Sequence, residues 1–132
     1  MKLSYLNQQD KFGPMNGKTI EQAQKLAELL DNARNKKPFV AWFMGENEFQ
    51  LTAGVGLGLG FVQYSRLNGD PPYLVALSAR RPVKKGFVEF LAGNTPTPIP
   101  ARNVLSFDEL RQIALHFIET GERSEAFSWE PI

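Results

Sequence analysis

The spacing of apolar residues changes twice along this chain, and the order of the changes limits the folds open to it. Over residues 20–33, apolar side chains recur every three or four positions and so share one face of a helix. Over residues 39–91 the pattern becomes short apolar runs and alternation between turn residues, as in strands. Helical spacing returns over residues 107–118. This order predicts an α+β fold in which an antiparallel meander of about five strands packs against two amphipathic helices.

The ends of both helices carry their own signals. Thr19 is predicted to cap the first helix, with a glutamine three residues later as in a capping box, and the helix should run to about Arg34. Ser106 and Glu109 form the same pattern before the second helix. Gly121 stands where a left-handed residue commonly ends a helix, so the second helix should stop just before it.

The other segments divide into predicted strands and predicted irregular chain. Residues 1–17 are polar and contain glycine, and we expect an irregular arm there, followed by one domain at residues 18–132. Residues 93–100 are expected to form a loop, because three prolines remove three backbone donors. Strands are predicted at residues 39–43, 49–53, 61–64, 73–77 and 87–91, with a short final strand at 127–129.

Composition and charge narrow the chemistry. Fifteen basic and fourteen acidic residues leave a net charge of +1, which gives no overall field for nucleic acid or an anionic membrane. The chain has no cysteine, and its one histidine, His116, is expected to be exposed and inert, so no metal or cofactor is predicted. No run approaches the roughly 18 apolar residues of a membrane helix, and the first residues lack the apolar core of a signal peptide. The expected location is therefore the cytoplasm.

A glycine occupies every second position from 54 to 60. The spacing departs from the dinucleotide-binding fingerprint, and no Lys-Ser or Lys-Thr pair follows as a phosphate loop requires. In a strand, this alternation would place all the glycines on one face, where a large side chain or a partner could approach the backbone. We expect packing within the molecule, with Trp42 or Trp129 over the glycines. A surface for a partner chain is the alternative.

Residues 80–85 form a concentrated basic stretch that begins with Arg80 and Arg81. The favoured interpretation is a solvated connection between two strands. The alternative is contact with an acidic surface, because the arginine fork suits carboxylates. No nucleic-acid recognition motif accompanies these residues, so nucleic acid is not predicted as a partner.

The last third of the chain carries a more specific pattern. Pro100 leads into the second helix, residues 120–123 read Thr-Gly-Glu-Arg where that helix ends, and Trp129 closes a short strand. This pattern resembles immunity protein family one of bacterial polymorphic toxin systems. Ser124 departs from it, because a proline commonly follows the arginine in that family.

The resemblance is good over residues 99–130 and general over residues 39–91. It implies a cognate immunity protein, which binds a secreted toxin domain delivered by neighbouring cells and protects the producing cell without catalysis of its own. Family members are often encoded beside toxins with a nucleic-acid deaminase fold. The implied partner is therefore a deaminase domain, bound by a monomer of this chain in a heterodimer. Gly121, Arg123 and Trp129 are expected to hold the fold rather than bind the toxin.

Residues that bind this partner are expected on exposed turns and strand ends, where binding residues often lie. There, carboxylates could face the basic residues of a substrate channel. Two alternatives remain open: a small-ligand-binding domain or enzyme with a polar pocket, and a scaffold that assembles with itself through the glycine-bearing strand or a sheet edge. The predicted partner-binding residues are Glu46, Glu48, Tyr64, Arg66, Arg80 and Arg81.

Overall fold

The computed structural model describes residues 1–8, 16–79 and 86–132. Within these ranges the chain forms ten strands and two α-helices. The helices are α1 (Ala23–Ala33) and α2 (Phe107–Thr120). The strands are β1 (Leu3–Leu6), β2 (Thr19–Ile20), β3 (Phe39–Gly45), β4 (Phe49–Gly56), β5 (Leu59–Arg66), β6 (Tyr73–Ala76), β7 (Phe87–Ala92), β8 (Thr95–Pro100), β9 (Leu105–Ser106) and β10 (Trp129–Pro131).

The strands join in one sheet with the order β10-β6-β5-β4-β3-β1-β2. Neighbours along this path are antiparallel. The β7–β8 hairpin joins the sheet through one parallel pair, Phe39 with Leu91, and β9 pairs with β5. The α+β class and the two helices on an antiparallel sheet are confirmed. The prediction of about five strands is wrong, because several short strands were assigned to connections.

The N-terminal segment is more regular than predicted. β1 pairs with β3 and alternates buried and exposed residues, so the irregular arm predicted for residues 1–17 is wrong over this strand. Thr19 lies in β2, so its predicted role as a helix cap is wrong as well, and α1 begins later, at Ala23. Residues 9–15 of the predicted arm lie outside the described residues. The division into an arm and one domain stays a prediction.

The proline-rich segment predicted as a loop is the edge strand β8. Pro96, Pro98 and Pro100 occupy alternate positions, so their ring nitrogens point to the same side of the strand. Backbone N–H groups of neighbouring residues in a strand point to opposite sides. The N–H of Ala101, next to Pro100, points toward β7 and donates to the Gly86 carbonyl at 2.8 Å, so the ring nitrogens of the prolines face away from β7. Proline is tolerated on an edge strand in this orientation, because no hydrogen bond is lost there.

The alternating glycines form a hairpin, so the prediction of one continuous glycine-faced strand is wrong. β4 ends at Gly56, and Leu57 and Gly58 turn the chain with positive φ angles of 49° and 74°. The predicted packing within the molecule is confirmed at Gly54, where any Cβ would clash with the rings of Phe61 and Phe90. These phenylalanines, and neither tryptophan, cover that glycine.

Two apolar clusters hold the sheet, one on each face. On one face, both helices pack a large cluster that includes Leu26 of α1 and Phe117 of α2. On the other face, Phe90 of β7 covers Val40 and Phe61. Each large apolar side chain that is fully buried contributes roughly 1.5–3 kcal/mol relative to an exposed one. The β7–β8 hairpin is thereby fixed across part of the sheet.

The ends of α2 follow the sequence prediction. The Glu109 N–H donates to Ser106 Oγ at 3.2 Å, and the Ser106 N–H donates to Glu109 Oε1 at 3.0 Å, so the capping box is confirmed. Gly121 adopts φ 75° after Thr120, and its N–H donates to the Phe117 carbonyl at 2.7 Å. The helix therefore ends where the β3–β4 turn meets it.

Candidate partner-binding site

Three segments meet at the open end of the β4–β5 hairpin: the β3–β4 turn, the end of β5 and the residues after α2. Asn47 in the turn donates its side-chain N–H to the Gly121 carbonyl at 2.7 Å, and the Tyr64 hydroxyl donates to the same oxygen at 3.4 Å. Any side chain on Gly121 would meet Asn47, so the backbone of the helix cap lies directly against the turn. The contacts fix the positions of the charged side chains around this point.

Glu46 and Glu48 lie in the β3–β4 turn, and both are exposed, as predicted. Glu46 accepts a hydrogen bond from the Lys2 backbone N–H at 3.0 Å. Glu48 has φ 72°, and its carbonyl accepts from the Leu67 N–H at 2.8 Å, which closes the end of the hairpin. The turn is thus tied to β1 and β5 while both carboxylates extend to the surface.

Arg66 and Tyr64 lie on β5, but only Arg66 is accessible in the way the sequence suggested. The Arg66 guanidinium lies 4.8 Å from the centre of the Phe49 ring, and Phe49 stacks on Tyr64 at 4.8 Å. Tyr64 is only 7% exposed, so the prediction that it is exposed is wrong, and its binding role stays a prediction. The reason is the strand period, which puts Tyr64 on the helix-covered face together with Val62.

The residues after α2 supply charges that the prediction of the site missed. Burial raises the pKa of Tyr64, the nearby Glu122 carboxylate raises it further, and Arg123 and Arg66 oppose this rise. Glu122 and Arg123 therefore stand close to the same hydroxyl. The local signal was the left-handed cap at Gly121, which turns the chain back toward β5.

These side chains enclose a shallow, open pocket of about 360 Å³. Aromatic and apolar groups form the floor of the pocket, and two arginines and two glutamates stand around it. We call these four charged residues, together with Glu46 and Glu48, the charged edge. The pocket is lined by Phe49, Tyr64, Arg66, Pro72, Leu74, Glu122, Arg123 and Glu125.

Arg80 and Arg81 lie outside the described residues, so their predicted binding role stays a prediction. The chain just before them is held by Glu109, which accepts from Ser78 Oγ at 3.0 Å and from the Ala79 N–H at 2.9 Å. Burial alone would raise the pKa of Glu109, but its hydrogen bonds from Ser106, Ala79 and Ser78 together lower it. This carboxylate is a structural clamp between α2 and the end of β6.

The charged edge can pair with charges and stack on planar groups. Over residues 1–8, 16–79 and 86–132, no three histidine, cysteine or acidic side chains come together in a way that could hold a metal ion. His116 is half-buried on α2 rather than exposed as predicted. In the same ranges, no helix combines the length and apolar character needed to cross a membrane.

The fold and the charged edge together define a small α+β domain with a charged, partly aromatic surface at one end of its sheet. The chain belongs to the Imm1 immunity protein family, whose family model matches residues 16–131. The match runs from just before β2 through β10 and so includes nearly the whole sheet and both helices. A comparison with curated proteins found no match.

Proposed function

We propose that this chain is a cognate immunity protein that binds a toxin domain and blocks its active site. The toxin domain in this proposal is a nucleic-acid deaminase. The family match over residues 16–131 carries the immunity function and implies a toxin as partner. The choice of a deaminase rests on the resemblance described from the sequence. The protein acts in this proposal by binding, without a reaction of its own.

The mechanism is occlusion with matched charges. A deaminase must admit a nucleobase to a zinc pocket, and a protein seated over that entrance stops the reaction. Enzymes that take nucleic acid line their substrate channel with cations, because the substrate backbone is anionic. The exposed carboxylates of Glu46, Glu48 and Glu122 lie at one edge of this protein and would face such cations.

Protection requires the complex to form before the toxin meets its substrate. This favours nanomolar affinity or better, equivalent to about −12 kcal/mol. An interface of standard size, roughly 800 Å² on each partner, can supply that energy when a few side chains are well buried. Opposite charges at the rim mainly accelerate association.

The self-assembling scaffold has less support. In that alternative a partner chain would pack on the glycines, but Gly54 is already covered by Phe61 and Phe90 of the same molecule. The outer edge of β8 carries three prolines. β10 at the end of the main path contains Pro131. Proline at a sheet edge disfavours pairing with another strand.

Reversing the charge of both turn carboxylates, Glu46→Lys with Glu48→Lys, tests the proposal. The partner to test is a toxin domain from the neighbouring gene, as the proposal expects, and the dissociation constant is measured by calorimetry at two salt concentrations. We expect at least tenfold weaker binding, about 1.4 kcal/mol, with a cooperative unfolding transition retained although Glu46 loses its hydrogen bond from Lys2. The matched control is Glu28→Lys with Glu89→Lys, which makes the same change of net charge at exposed positions on α1 and β7.

The outcomes separate the parts of the proposal. Absence of any complex with the wild-type protein would refute the immunity function for that toxin. Equal weakening by the test pair and the control pair would show that net charge alone matters and that the turn makes no contact.

A further inference from the structure

One face of the sheet is only half covered. α1 and α2 pack against one face, whereas the β7–β8 hairpin covers the other face around Val40, Gly54 and Phe61, with half-buried Trp42 packed against the border of this cluster. Toward the β3–β4 turn, the described side chains of this second face are half-buried or exposed, except for Val75 of β6, which is buried.

The strand register shows which side chains share this uncovered area. Directly opposed residues of antiparallel strands point to the same face. From β1 to β6, one row crosses the sheet through Leu6, Trp42, Thr52, Gln63 and Val75. The next row, one step closer to the turn, passes through Ser4, Met44, Gln50, Ser65 and Tyr73. We call these two rows the open face.

Between β1 and β6 neither row of the open face contains a charged residue. The first charge in line is Glu130 on β10, which opposes Val75 and pairs with Arg102 at 2.9 Å. Charged residues make up 22% of the chain and occupy the outward sides of the helices, as at Lys25, Glu28 and Asp31 of α1. An antiparallel sheet face in water ordinarily carries polar residues along its exposed positions. Here polar amides and hydroxyls alternate with Trp42, Met44 and the 43% exposed Tyr73.

This composition is that of an interface core. Centres of protein–protein interfaces are poor in charge and rich in tryptophan, tyrosine and methionine, and they are surrounded by a polar rim. The charged rim is present at the border of the open face. Glu48 and Leu67 close the hairpin beyond the pair Gln50 and Ser65, and Glu46 lies beyond Met44.

The dimensions also fit. The five neighbouring strands β1, β3, β4, β5 and β6 are about 4.8 Å apart, so together they span roughly 19 Å. Two rows of that width are smaller than the roughly 800 Å² that a standard partner covers, so the surrounding rim must take part. The turn with Glu46 and Glu48 supplies it on one side.

We propose that the open face is the docking surface for the toxin domain, with Trp42 as its central anchor and with Glu46 and Glu48 at its rim. The inference rests on the proposed function and adds the location and chemistry of the contact. The matching surface on the toxin is flat and uncharged, with basic side chains where it meets the turn.

Placing charge in the centre of the open face tests this. Thr52→Lys with Gln63→Lys puts two cations on neighbouring positions that pair across β4 and β5. Both sites are half-exposed, so the long side chains can reach water in the free protein, but docking would bury them. We expect the dissociation constant for the same toxin domain to rise at least a hundredfold, with a cooperative unfolding transition retained.

The matched control is Gln24→Lys with Gln112→Lys, which adds the same charge at exposed helix positions on the opposite side of the sheet. It should leave the affinity near that of the wild type. A second measurement needs no variant: hydroxyl-radical oxidation of Trp42, Met44 and Tyr73 should fall when the toxin domain is bound.

Each outcome decides the inference. If the wild type binds the toxin and the Thr52 and Gln63 variant binds equally well, or if oxidation is unchanged, the docking surface is elsewhere and the immunity function stands. If the wild type does not bind, both fail. Sedimentation of the free protein covers the remaining case: a dimer that the variant abolishes would give the face to a second copy and overturn the assignment to the toxin.

Discussion

Replacing Gly121 with alanine should destabilise the fold by two separable effects. The residue has φ 75°, and a left-handed conformation costs a residue with a Cβ about 1–2 kcal/mol. The new Cβ would also lie 2.5 Å from Asn47 Nδ2, which now donates to the Gly121 carbonyl at 2.7 Å. Displacing that amide removes a hydrogen bond of about 0.5–1.5 kcal/mol. The expected loss in the free energy of unfolding is about 2–3 kcal/mol.

Gly58→Ala separates the two effects. Gly58 has φ 74°, but nothing lies within 4 Å of its would-be Cβ, so only the conformational cost of about 1–2 kcal/mol applies. Urea unfolding at constant slope measures both variants. The loss at Gly121 should exceed the loss at Gly58 by about 1 kcal/mol, which is the value of the Asn47 contact. An equal or smaller loss at Gly121 would refute the contact argument, and the excess should vanish in an Asn47→Ala background.

Two further predictions concern stability. Leu57 is 65% exposed and has φ 49°, so Leu57→Asn, which introduces a residue that tolerates this conformation, should raise the free energy of unfolding by about 1 kcal/mol; a lower urea midpoint would contradict this. Hydrogen bonds lower the pKa of Glu109 in the folded state below its ordinary value of 4.5, so its contribution is complete above pH 4.5 and is lost as the pH falls through the lowered value. Glu109→Gln should therefore be less stable than the wild type at pH 7 and approach it in acid, and a gap independent of pH in thermal melts would exclude this role.

The sequence predicted best where the signal was local. The capping box of Ser106 with Glu109 and the left-handed Gly121 each involve neighbouring residues, so α2 could be placed almost to the residue. β3 and β4 could also be predicted, because their runs of apolar residues are typical of buried strands. Such features need no knowledge of distant contacts.

The errors arose where pairing partners decide the structure. Thr19 is a residue type that commonly caps helices, but in this structure it lies in β2 and pairs with Ser4 of β1. Proline excludes a strand only when its nitrogen faces a neighbour, and Pro96 faces outward. The hairpin at Leu57 carries a residue that turns of positive φ disfavour, so nothing in the local sequence marked it.

The candidate site was predicted in part. Glu46, Glu48 and Arg66 do lie at one end of the hairpin, because short turns and strand ends are readable from sequence. Tyr64 was misjudged because its orientation depends on which face of β5 the helices cover. The contribution of Glu122 could not be foreseen, because it depends on where α2 ends relative to the sheet.

The proline register of β8 has a consequence for how such a protein can change its specificity. With an outer border that offers no N–H groups at Pro96, Pro98 and Pro100, visiting strands find no template there. At this edge, recognition of a partner then depends on side chains, because the backbone N–H groups are either absent or hydrogen-bonded within the sheet. Under the proposed function, substituting those side chains changes which toxin domain is bound while the hydrogen-bonded sheet stays the same.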